Sequence, residues 1–159
     1  MSEVTAEFES HGKFAERGEG FEPTTNDWDA VVTVDGGTVT VAVTVPTLDA
    51  VVEEDVVAGV VEDGWFETFE LRVEDVEGVT YAETGEPTVE RDAAEVTVTT
   101  TLDARPGNAP DDALAVVNYV EGTWFEGIIP GYDYVEPVQA MRERASQNAS
   151  ETGTQGTPL

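Results

Sequence analysis

The stretch from Thr38 to Val45 reads TVTVAVTV, with a valine at every odd position, and directly before it stands Asp35-Gly36-Gly37. Side chains of an extended chain point alternately to opposite faces, so this period of two describes a strand with one apolar face buried and one face in water. The glycines supply a tight turn, and Ala30 to Val34 is a second β-branched run on its other side. The three pieces together predict a β-hairpin.

The composition extends that argument. The chain has 25 valines against five leucines and two isoleucines, and β-branched residues fit a pleated, half-buried surface better than a helix. A run from Glu95 to Leu102 repeats the alternation. Leu48, Val52, Val56 and Val60 recur every four residues behind Thr47, which predicts a helix that Gly64 ends as its C-cap. Phe69, Leu71 and Val73 then alternate with charged residues as a further strand. Helices are also expected over Ser2 to about Arg17, with Gly12 dividing two pieces, from Asp111 to Glu121, and from Pro137 to Ala145. The fold class that follows is α+β: a mostly antiparallel β-sheet with helices packed on one face. Residues 1–145 form one domain, and the polar stretch from 146 to 159 is expected to be disordered.

Two similar passages suggest an internal strand-helix-strand duplication. Thr47-Leu48-Asp49-Ala50 and Thr101-Leu102-Asp103-Ala104 each follow a Val/Thr-rich strand, and each is followed by an acidic helix, a glycine and Trp-Phe-Glu, at Trp65 and again at Trp124. After the second copy, Gly127-Ile128-Ile129-Pro130-Gly131-Tyr132 breaks any ladder. An aromatic loop is expected there.

The charge decides the setting. Aspartate and glutamate number 34 against 7 lysines and arginines, for a net charge of −27, and Lys13 is the single lysine. Such a surface opposes its own compaction in dilute buffer, whereas molar salt cuts the screening length to about 3 Å. The acids are spread along the whole chain, which predicts a halophilic, cytoplasmic protein. The N-terminal MSEVTAEFES has no basic or apolar export region, and no apolar run is long enough to span a membrane.

Several chemistries lack their residues. There is no cysteine and one histidine, His11, so neither a thiolate-based zinc site nor a Ser-His triad can be assembled; His11 is expected to pack at a helix end. No phosphate-binding P-loop or dinucleotide fingerprint occurs, so no cofactor is expected, and seven dispersed basic residues argue against nucleic acid. Asp49, Glu53, Glu54, Asp55, Asp111 and Asp112 leave open a carboxylate-dependent enzyme using Mg²⁺, against which stands a solvated acidic face. The preferred reading is a non-enzymatic binding or adaptor module that contacts a protein partner through the aromatic loop. Its candidate contact residues are Trp124, Phe125, Ile128, Ile129, Tyr132 and Tyr134, since loops carry function and aromatic residues anchor interfaces.

The combination of Phe8, His11, Gly12 and Phe14 with Thr47-Leu48-Asp49-Ala50 and Asp63-Gly64-Trp65-Phe66-Glu67 resembles a family of small acidic haloarchaeal proteins of unknown function. The resemblance implies a haloarchaeal cytoplasmic origin and no activity. The order of elements is also similar to that of the secretion-chaperone-like fold, an analogy of architecture alone.

Overall fold

The computed structural model describes residues 3–53, 56–129, 132–136 and 138–144. It contains a six-stranded, wholly antiparallel sheet in the order β1-β2-β3-β4-β6-β5. The strands are β1 (Phe14–Arg17), β2 (Gly20–Pro23), β3 (Asp29–Asp35), β4 (Thr38–Pro46), β5 (Thr88–Asp92) and β6 (Glu95–Asp103). The helices are α1 (Glu3–Ser10), α2 (Leu48–Val51), α3 (Gly59–Val73) and α4 (Ala109–Glu126), with a 3-10 turn at Glu74–Gly78 and a last helical segment over 138–144.

The predicted hairpin is β3 and β4, paired from Asp29 opposite Thr44 to Asp35 opposite Thr38. Val39, Val41, Val43 and Val45 are buried, while Thr38, Thr40, Ala42 and Thr44 between them retain contact with water. The buried row continues across the sheet through Val32 on β3 and Val96, Val98 and Leu102 on β6. This face receives the helices, α4 above β4, and at its β1 end Phe8 of α1 meets Phe14 edge-on at 4.9 Å and stacks on Phe21 at 5.3 Å. The α+β architecture is thus the one the alternation implies.

Four expectations are overturned. The second helical piece near Arg17 is instead strand β1, paired with β2 from Phe14 opposite Pro23 to Arg17 opposite Gly20; burying Phe14 against Phe8 outweighs local helix propensity. The helix behind Thr47 is only one turn long. Its backbone groups turn elsewhere: the Val57 N–H donates to the Asp49 carboxylate at 3.0 Å and the Glu53 N–H to the Asp133 carbonyl at 2.7 Å, and the β-branched run Val51-Val52 does little to hold a helix together. Gly64 is no C-cap but an interior residue of α3, with open space where a Cβ would stand. Phe69, Leu71 and Val73 belong to the same helix. Their alternation coincides with a second pattern, Trp65, Phe69 and Val73 at spacing four, and burial follows the second: those three are buried and Leu71 is exposed.

The two Trp-Phe-Glu copies therefore lie within α3 and α4, which pack on each other, so no strand follows directly from either. The Thr-Leu-Asp-Ala copies differ as well. The first opens α2, while residues 101–103 of the second complete β6. Helix α4 begins two residues before Asp111 and continues through Gly122 to Glu126. The C-terminal helical segment turns Val138 and Met141 inward as expected, and residues 145–159, with the tail expected to be disordered, lie outside the described residues.

Candidate functional site

The residues of the predicted aromatic loop divide into two groups. Trp124 is fully buried on α4; its indole N–H donates to the Pro46 carbonyl at 2.8 Å and its ring meets Trp28 edge-on at 5.1 Å. Tyr134 is buried too, its hydroxyl donating to the Ile129 carbonyl while the Arg142 guanidinium lies 5.4 Å over its ring. These are core contacts. Phe125, Ile128, Ile129 and Tyr132 are half-buried and pack against that core, and the Val135 N–H donates to the Val51 carbonyl at 2.9 Å. The chain after α4 thus folds back over the end of α2 instead of projecting. Pro130 and Gly131 lie outside the described residues.

The carboxylates considered for metal chemistry are dispersed. The only histidine, His11, holds Asp111 at 2.9 Å. Asp112 receives two bonds from the Arg105 guanidinium at 2.6 and 2.9 Å and one from the Thr80 hydroxyl. Burial alone would raise its pKa, but these bonds prevail and hold it below the ordinary carboxylate range. Asp49 serves its own neighbourhood, its N–H donating to Glu62 at 3.1 Å. Glu54 and Asp55 lie outside the described residues. Among the described residues no three His, Asp or Glu side chains converge as metal ligands would.

Sequence reasoning overlooked Glu121. This α4 carboxylate is 7% exposed and accepts the backbone N–H groups of Trp28 at 2.7 Å and Asp27 at 3.2 Å, with the Asn26 amide at 3.4 Å. Burial pushes its pKa up against the pull of those bonds, and the nearby Asp27 pushes the same way. Arg144 closes over the site by pairing with Asp27 at 3.2 Å. The arrangement ties the β2–β3 connection to α4 and engages both oxygens of the carboxylate. It is a latch. Nothing at the level of sequence spacing marks it, because its partners are main-chain groups more than 90 positions away.

The surface feature that stands out is α3. One stripe, Trp65, Phe69 and Val73, is buried, yet Val60 is 80% and Leu71 68% exposed on the opposite side. Val60, Gly64, Glu67 and Leu71 sit at spacings of four, three and four, so they form one outward stripe of the same helix. Two grooves flank it. Toward α4, a groove of about 330 Å³ is lined by Val60, Gly64, Trp65, Gly127 and Ile129. Toward β5, a groove of about 440 Å³ has Leu71, Pro87 and Val89 in its walls and is lined by four glutamates, Glu67, Glu70, Glu74 and Glu86. Arg91 of β5 secures α3 beside this second groove: its guanidinium lies 4.5 Å over the Phe66 ring and 3.1 Å from Asp63. A reading of residues 60–71 at helical spacing would have found the stripe; the strand assignment concealed it.

The chain belongs to a family of unknown function (DUF5813), whose family model matches residues 9–144. No curated protein and no solved structure matches it.

Proposed function

We propose that this member of a family of unknown function is a non-enzymatic binding module of a halophilic cytoplasm, and that it receives a protein partner on the outward stripe of α3. The observation that carries the reading is the pair Val60 and Leu71, large apolar side chains left in water on a helix whose other face is already committed to the core. Val60 borders the groove toward α4 and Leu71 the groove toward β5, so each adds exposed apolar surface to a concave site on the side of α3 that the core does not use. Ile129 brings the end of the folded-back loop to the rim of the same surface. The role first assigned to the loop passes mainly to the helix, because Trp124 and Tyr134 are consumed by the core.

Halophily is supported by the charge of −27 and by the scattered placement of the acids. No helix among the described residues is long and apolar enough to cross a membrane. The Mg²⁺-enzyme alternative has no comparable support: the carboxylate whose pKa is raised, Glu121, is occupied by backbone N–H groups. The test is affinity capture from the native host in molar KCl with wild type and with Val60→Asp/Leu71→Asp. Both substitutions fall on exposed positions and should leave folding intact, while at least one specifically captured protein should be lost. Identical captured sets for the two baits would refute the reading.

A further inference from the structure

We propose that the free edge of β5, with the α3 glutamates beside it, takes an extended basic segment of a partner protein as an added strand. This rests on the reading of α3 as the docking face and specifies what docks there. β5 is the terminal strand of the sheet; β6 occupies one side of it, and among the described residues nothing pairs with the other. Asp92 and Glu95 close a two-residue turn, and opposed pairs of an antiparallel ladder alternate between bonded and non-bonded. With the closing pair bonded, Val89 and Arg91 turn their backbone N–H and C=O groups outward. An edge of this kind is a template for another strand.

The surroundings select the occupant. Arg91 ties helix α3 to β5, and residues of both line the glutamate-rich groove, so a strand laid along β5 would bring alternate side chains against Leu71 and Val89 and within reach of Glu67, Glu70, Glu74 and Glu86. Those four carboxylates complement lysine and arginine side chains. They oppose a second copy of this chain, which would bring its own charge of −27 and its own Glu90 and Asp92 to the seam. Charges and a nearby proline are how natural edges discourage self-pairing; here the same charges admit a chain of opposite sign. The backbone groups favour an extended occupant over a helix, since only a strand matches their spacing.

The test titrates a blocked peptide of about eight residues, alternating arginine and valine, into the whole protein in molar KCl, with amide hydrogen exchange followed by NMR. Binding should saturate and should slow exchange of the Val89 and Arg91 amides. Glu67→Lys/Glu70→Lys/Glu74→Lys, all at exposed positions, should weaken it about tenfold, since each exposed ion pair contributes roughly twofold, and further KCl should weaken it as well. The proposal is overturned if the Val89 and Arg91 amides gain no protection, if a peptide alternating glutamate and valine binds equally, or if protection at β5 grows with protein concentration alone, as a second copy would produce. If the Val60→Asp/Leu71→Asp bait loses its captured protein while β5 stays unprotected, strand addition fails and the docking face stands. If neither responds, both readings fall.

Discussion

Replacing Glu121 tests the latch most directly. In Glu121→Ala the backbone N–H groups of Asp27 and Trp28 lose their acceptor within a site where the side chain was 7% exposed. An unsatisfied buried donor costs about 1–3 kcal/mol, so the pair should cost roughly 3 kcal/mol after partial relief by water. Glu121→Gln keeps one carbonyl oxygen for Trp28, turns an NH₂ group toward Asp27, and removes the penalty of burying charge, so its cost should be about 1 kcal/mol. The pH dependence supplies an independent check. A carboxylate whose folded pKa is raised takes up its proton in the native state before the unfolded chain does. Wild type should therefore gain stability relative to Glu121→Gln as pH falls through the raised folded value toward the ordinary one. Taking the difference between the two proteins cancels the contribution of the other acids. The assay is urea unfolding in constant molar KCl; guanidinium chloride is itself a salt and would screen the surface it is meant to probe. A cost below about 1 kcal/mol for Glu121→Ala would refute the latch; a wild-type-to-Gln difference flat across that pH range would instead mean that the latch bonds, which favour the ionised carboxylate, offset its burial in full.

Three further outcomes are expected. Circular dichroism in a KCl series should show structure increasing from dilute buffer to molar salt, as the screening length falls from about 30 Å to about 3 Å; full structure at the lowest salt, with no gain on adding more, would count against halophily. Gly64→Ala and Gly122→Ala place a methyl group in open space within α3 and α4 and should each stabilise by about 0.5–1 kcal/mol, whereas Gly20→Ala forces a Cβ to 2.4 Å from the Val32 carbonyl oxygen and should destabilise by about 1–3 kcal/mol; urea midpoints read both signs. Asp112→Asn should cost roughly 1.5–3 kcal/mol at neutral pH. Because the folded pKa of Asp112 is depressed, its contribution is present above the unfolded pKa and is lost as pH falls through the folded one, so the variant's deficit should shrink in acid.

How much of the molecule could be read in advance depends on how far each signal reaches along the chain. The hairpin of β3 and β4, strand β6 and most of α4 were legible because period two over eight residues, or an apolar pattern closed by acidic and polar positions, is written within one window. The aromatic loop was legible as a loop, and its packing was not: whether Tyr134 faces water depends on Val51 and Val52, some 80 positions earlier, with which this segment pairs. Helix α3 was misread because Phe69 and Val73 fit spacings of two and of four equally well. Only a neighbour decides between those readings. In the folded chain α4 lies against α3 and rewards the helical face, leaving Leu71 outside.

The candidate surface follows the same division. The acidity, the absence of cysteine, the single histidine and the lack of phosphate-binding motifs are properties of composition, and they removed whole classes of chemistry before any fold was known. That β5 is an edge, that Arg91 ties α3 to it, and that Glu67, Glu70, Glu74 and Glu86 line one groove are properties of strand order and of the Arg91 contacts with Phe66 and Asp63. A linear chain encodes which side chains exist and the local periods they keep. Where a period is ambiguous, or where partners are main-chain groups distant in sequence, as for Glu121, the choice belongs to long-range packing, because the energy that settles it arises only when both partners are in place.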